Sequence, residues 1–225
     1  MRVLAVIHGP DVRPELFGEV IEAEGHRLIE WDIRTGGRPP RGADAVLVLG
    51  GEQNVGDEVR HPWLHEEYDA LREWAGRNVP VFGICLGAQT LAHAFGGAVR
   101  PLAHPVVGFV RTELTEAGIA DAVLGVLPAA FEAFNYNGCG FDVPPGGIAL
   151  ADGPSCQAFR LGDHAWGVQF HPEVRLEHTL RWFEDDPELA RPIDELEREL
   201  DRKLPAWQEL GRRLCRAFLA AANPE

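Results

Sequence analysis

Val79-Pro80-Val81-Phe82-Gly83-Ile84-Cys85-Leu86-Gly87-Ala88-Gln89 is the stretch on which the reading of the fold turns. A short apolar run over residues 79–84 feeds a G-x-C-x-G pattern and passes directly into a helical pattern over 86–95, stopped by Gly96-Gly97. A strand that ends on a nucleophile and bends at once into a helix is the cysteine version of the G-x-S-x-G elbow. Glycines on either side remove the Cβ atoms that would clash in so sharp a turn, and the nucleophile is held in a strained backbone conformation. The turn sets Cys85 at a helix N-terminus, where the macrodipole favours thiolate over thiol. It also aims the Leu86 N–H at the carbonyl oxygen of whatever Cys85 attacks. The plainer alternative is a small apolar cysteine buried at a strand end.

The same alternation extends outward from the elbow. Residues 3–7 read as a buried strand closed by His8-Gly9-Pro10, 12–24 as a helix stopped by Gly25, and 26–31 and 45–49 as further strands. An amphipathic helix follows from about 62 to 77. Strand and helix alternating in this way predict an α/β fold, with a mostly parallel central sheet, right-handed crossovers and flanking helices. Beyond Gly97 the texture changes. Short strand candidates at 106–114, 130–136, 148–151, 156–161 and 165–170 are separated by linkers too short for crossover helices, which predicts a small antiparallel region. From 174 the chain returns to helix, and a proline-interrupted tail from about 185 ends in the apolar-striped segment 207–221. No repeat or linker divides the chain, so residues 1–225 are expected to form a single domain.

Composition narrows the function. With 45% hydrophobic and 25% charged residues, the chain has the ordinary balance of a folded soluble protein, and 225 residues supply a core that needs no staple. A formal charge of −14 argues against a nucleic-acid partner, which would need clustered Lys and Arg. The cysteines at 85, 139, 156 and 215 make no C-x-x-C pair and are too sparse for a secreted disulfide scaffold. With no signal peptide and no apolar run near the roughly 20 residues of a membrane span, the expected location is cytoplasmic, without membrane contact. No phosphate-binding loop or spaced His/Cys ligand set occurs, so neither a metal nor a cofactor is expected.

A second block supplies a base. In Trp166-Gly167-Val168-Gln169-Phe170-His171-Pro172-Glu173, a strand ends near His171, and Glu173 follows two positions on, so an extended backbone puts both side chains on one side. Pro172 fixes the geometry between them. A histidine held this way can share the Cys85 proton while the carboxylate orients the imidazole.

Taken together, Val48-Leu49-Gly50-Gly51, the elbow from Gly83 to Gln89 and Gly167-Val168-Gln169-Phe170-His171-Pro172-Glu173 resemble the class I glutamine amidotransferases, in particular the stand-alone relatives of the GMP synthetase glutaminase domain. The resemblance implies their flavodoxin-like fold and a Cys85–His171–Glu173 triad acting on glutamine. Cys85 would attack the side-chain amide, ammonia would leave, and water would hydrolyse the γ-glutamyl thioester. It further implies an oxyanion hole from the Leu86 N–H and a backbone N–H of the Gly50-Gly51 loop, taken as Gly51. Gly50, Gln89, Tyr136 and Asn137 would bind the substrate.

The likeness has departures. Members of the GMP synthetase type carry Trp-His-Gly-Asp where this chain has Tyr136-Asn137-Gly138-Cys139, and Glu52-Gln53-Asn54-Val55 replaces their Gly-Gly-Pro continuation. The first change lies in a loop that borders the substrate's α-amino and carboxylate groups in the family. Three readings therefore stand: a glutaminase that passes ammonia to a separate synthase partner, since no synthetase segment follows residue 225; a stand-alone γ-glutamyl peptide or conjugate hydrolase; and a catalytically idle binding or regulatory homologue.

Overall fold

Alternating apolar residues decide the layering of the N-terminal half. In β1 (Arg2–Ile7), Val3, Ala5 and Ile7 enter one hydrophobic cluster while Leu4 and Val6 enter another, as the two-residue period of a strand demands. β2 (Arg27–Asp32) and β3 (Ala45–Val48) flank β1, and β4 (Val81–Ile84) lies beside β3, all parallel. α1 (Glu15–Ala23) covers the first face with Phe17, Val20 and Ile21. α2 (Trp63–Gly76) and α3 (Leu86–Ala94) cover the second with Leu64, Leu71, Trp74 and Leu91. Each large side chain buried in these layers contributes about 1.5–3 kcal/mol. This computed structural model describes residues 1–184, 186, 189 and 191–223.

The sheet continues with β5 (Val99–Leu114), and after the short α4 (Glu116–Ile119) come β6 (Ala130–Phe141), β7 (Gly147–Asp152), β8 (Cys156–Leu161) and β9 (Ala165–Val168). Among the described residues it has nine strands in the order β2-β1-β3-β4-β9-β8-β7-β5-β6. The pairs β5–β6, β5–β7, β7–β8 and β8–β9 are antiparallel, as the short linkers predict. β9 instead returns beside β4 in parallel, with Val168 opposite Ile84. That single parallel pairing brings the two chemical blocks of the sequence side by side.

Several boundaries differ from expectation. The helix expected over 12–24 starts at Glu15, with Pro14 at its N-cap. β5 begins at Val99 rather than 106 because its early residues still find partners: Val99 lies opposite Phe141, and Pro101 opposite Cys139 before the register shifts. The same pairing carries β6 on to Phe141, so 137–140 is strand and not loop.

α5 (Leu176–Glu184) and α6 (Ile193–Ala222) complete the chain. Pro205 does not interrupt α6, which runs through it unbroken. A mid-helix proline costs about 3 kcal/mol, but Leu200, Leu204 and Trp207 are all buried around it and offset that cost. The apolar stripe of α6 faces the protein's own core, against α1 and the sheet. Among the described residues no helix is long and apolar enough to cross a membrane.

Candidate active site

The elbow is set by contacts that only glycine permits. A Cβ at Gly83 would press into the backbone of Gly87, and one at Gly87 would overlap the Val48 carbonyl. Between them Cys85 takes φ 52° and ψ −107° as the N-cap of α3, in the positive-φ region that L-residues adopt only when the surroundings enforce it. Two backbone bonds enforce it here: Cys85 N–H to Val168 O at 2.8 Å and Gly87 N–H to Leu49 O at 3.1 Å. The first ties the nucleophile's strand to β9, the second to the end of β3.

β9 leads three residues on to His171, whose backbone N–H donates to Phe134 O of β6 at 2.8 Å. The imidazole Nδ1 lies 2.8 Å from Glu173 Oε1, and both side chains are buried. The ring lies close enough to the Cys85 sulfur for its charge to act on the imidazole, while the sulfur itself is 3.9 Å from Tyr136 O. Burial alone would lower the His171 pKa, but the Glu173 carboxylate and the Cys85 sulfur outweigh it and raise it to about 10. From the far end of the chain, α6 braces this segment. Trp207 Nε1 donates to His171 O at 2.8 Å, Gln208 Nε2 donates to Val174 O at 3.0 Å, and Gly211 packs directly on the Pro172 carbonyl.

The Gly50-Gly51 loop closes the other side. A Cβ at Gly50 would stand 3.0 Å from the His171 ring and 3.6 Å from the Cys85 Cβ. Among the described residues neither the Gly51 nor the Leu86 N–H has an acceptor, and both residues line a cavity of about 530 Å³ that also reaches Cys85 and His171. For Leu86 this is the ordinary state of a first-turn helix donor. Two unpaired donors beside a cysteine are the arrangement an oxyanion needs.

Gln89, Tyr136 and Asn137 also line the cavity, and each already makes a side-chain hydrogen bond within the protein. Gln89 Nε2 donates to Cys139 O and Gln169 Oε1, Asn137 Nδ2 to Cys139 O, and the Tyr136 hydroxyl to Asp186 at 2.7 Å. Gly50 lies behind the cavity wall, with its carbonyl turned towards His8.

Sequence reasoning passed over three groups. Gln169 donates to the Cys85 sulfur at 3.5 Å; its two-residue offset from His171 on an extended segment was the available signal. Asp11, Glu52 and Asp186 add carboxylates to the cavity wall. Buried His8 makes a 2.6 Å contact with Glu67, and that carboxylate raises its pKa against the lowering effect of burial.

Comparisons with known proteins agree with this architecture. The family model described as "Glutamine amidotransferase class-I" matches residues 28–186. One of the subunits of a glutamine-hydrolyzing GMP synthase from Sulfolobus acidocaldarius is 31% identical over 145 residues, covering 63% of this chain and 72% of that protein. The glutamine-hydrolyzing GMP synthase of Neisseria gonorrhoeae is 31% identical over 133 residues, 57% of this chain, and the chain spans only 24% of that longer protein. A crystal structure of a glutamine amidotransferase from Thermotoga maritima superposes with a TM-score of 0.87 at 23% identity, over 100% of this chain and 99% of that one, a likeness of fold. A nucleophile elbow, a histidine returned beside it by a late parallel strand, and a family match spanning more than half the chain converge: the protein belongs to the class I glutamine amidotransferases.

Proposed function

We propose that this protein hydrolyses the side-chain amide of glutamine in the cytoplasm and hands the ammonia to a partner synthase, with residues 1–225 acting as one domain. The observation that carries this reading is Cys85, held at positive φ on a helix N-terminus and facing a buried His171 whose Nδ1 is bound to Glu173. In the first half-reaction Cys85 passes its thiol proton to His171 and the sulfur attacks the amide carbon, and the C–S bond forms as the carbonyl oxygen takes up negative charge between the Gly51 and Leu86 N–H groups. The oxyanion then collapses, the C–N bond breaks, and His171 gives its proton to the departing ammonia. In the second half, His171 takes a proton from water, the resulting hydroxide attacks the thioester, and the C–S bond breaks to release glutamate. Glu173 orients the imidazole and balances its charge.

The Sulfolobus relative supports the partner clause, since its name makes it one piece of a GMP synthase and implies at least one more. The four free cysteines fit a reducing compartment. A second reading, γ-glutamyl conjugate hydrolysis without a partner, is favoured by the cavity. Its volume of about 530 Å³ falls among sites for drug-sized ligands, and the carboxylates of Asp11, Glu52 and Asp186 suit an amine beyond the γ-amide.

One assay separates the readings: purified protein against glutamine and a panel of γ-glutamyl amides, with and without candidate synthases, and Cys85→Ala as the blank. Ammonia from glutamine, accelerated by a synthase and abolished in Cys85→Ala, is the expected result. Fast turnover of conjugates but not glutamine would replace the leading reading with the second, and turnover of neither would favour a binding role.

A further inference from the structure

The Gly50–Gly51 peptide is held from behind by a buried pair that the proposed chemistry leaves unused. β1 and β3 run parallel with Val6 opposite Val48, and Leu49 N–H donates to Val6 O at 3.1 Å, so two residues further on His8 lies abreast of Gly50. The His8 ring is 2% exposed, and its Nδ1 is 2.9 Å from Gly50 O. A carbonyl can only accept, so Nδ1 carries a proton and donates it. Nε2 lies 2.6 Å from Glu67 Oε2 on α2, and Glu67 is wholly buried. One turn earlier on α2, Trp63 stacks on the imidazole with centroids 5.3 Å apart and planes 23° from parallel. The ring is thus fixed by strand, helix and stack together.

The consequence follows from peptide geometry. The described residues contain no cis peptide, so the Gly50 C=O and the Gly51 N–H point in opposite directions across one plane. A carbonyl drawn towards His8 turns the Gly51 N–H away from it, and Gly51 borders the cavity with Cys85 and Leu86. A glycine pair has little steric preference of its own and could present this peptide either way round. The reversed peptide would offer a carbonyl oxygen, not a donor, to the developing negative charge.

We infer that His8, oriented by Glu67 and Trp63, is a positioning residue that locks the Gly50–Gly51 peptide with its N–H towards the reacting carbon, preforming one half of the oxyanion hole. The inference rests on the proposed role of Cys85, and its test keeps the two apart.

His8→Phe keeps a ring on Trp63 but removes the donor; His8→Asn returns an N–H close to the Nδ1 position; Glu67→Gln weakens the orientation. For each, kcat and KM on a γ-glutamyl amide that the wild type hydrolyses would be measured beside the rate of Cys85 alkylation by iodoacetamide. That alkylation is a displacement at a saturated carbon, in which no oxyanion forms. Loss of one oxyanion donor lowers kcat by about 100-fold or more. His8→Phe should show that loss with KM and the alkylation rate each within about twofold of wild type, and His8→Asn should recover about tenfold of it. Undiminished kcat in His8→Phe, or turnover and alkylation falling together, overturns the inference. Should His8→Phe fail to fold, Glu67→Gln decides: kcat about tenfold lower at an unchanged alkylation rate supports the lock, and unchanged kcat removes it. If the wild type hydrolyses no γ-glutamyl amide, the reading of Cys85 fails separately. The orientation of the 50–51 peptide in a His8→Phe or Glu67→Gln crystal structure then tests the lock alone: reversed or disordered supports it, unchanged overturns it.

Discussion

Three of the four thiols are held back from reaction by where they lie. Burial raises the pKa of Cys139, pushes that of Cys156 up to about 12, and raises that of Cys215 on α6. Mass-spectrometric mapping after brief exposure to a glutamine-like electrophile at neutral pH should therefore find Cys85 modified first; Cys139 labelled ahead of it would refute the assignment. His171 makes a second residue-scale prediction. Its folded pKa of about 10 exceeds the ordinary 6.5, so its proton stabilises the fold fully below about pH 6.5, and that contribution is lost as pH rises through about 10. Urea midpoints should fall over this window in the wild type and fall less in His171→Gln; parallel curves would contradict the shift. Cys85, His171 and Glu173 were legible because each stands in a short word at a strand end, where neighbouring residues fix its direction. The His8–Glu67 contact was not, since it spans 59 positions and depends on how α2 settles on the sheet.

Among the elements, strands and helices whose burial is set by their own periodicity came out close to their sequence reading, while those shaped by partners did not. Residues 137–140 lie beyond the strand expected over 130–136, in what the family resemblance implies is a loop, yet β5 pairs with them and draws them into β6. Pro205 reads as a break, yet packing on both sides carries α6 past it. The close approach of α6 to the His171 segment yields a prediction at this scale. Gly211→Ala would drive a methyl into the Pro172 carbonyl, costing about 1–3 kcal/mol by overpacking. It should also slow turnover, since Pro172 separates His171 from Glu173. Gly76→Ala is the control: nothing lies within 4 Å of its Cβ position on α2, so its denaturation midpoint should hold or rise. Equal effects of the two changes would deny α6 this bracing role.

The whole molecule carries a formal charge of −14, and its compact state is opposed by self-repulsion that salt screens. Raising sodium chloride from about 10 to 150 mM, across which the Debye length shrinks from about 30 to 8 Å, should lift the melting midpoint by about 2–4 °C. That shift corresponds to about 1 kcal/mol at this chain length, and a fall in the midpoint would mean that surface ion pairs dominate instead. The parallel half and the antiparallel half were both legible in the linkers, whereas the return of β9 beside β4 is a choice of topology that no local pattern records. The brace supplied by α6 has a meaning in time as well as in space. Its Cys215 touches Phe17 O across 198 positions, and its Arg216 pairs with Glu24 across 192. Ribosomes deliver a chain N-terminus first, so strand, elbow and thiol emerge well before the helix that steadies the His171 segment. On the proposed chemistry, Cys85 then exists during synthesis without an aligned His171, and activity is expected only once the thirty-residue helix docks.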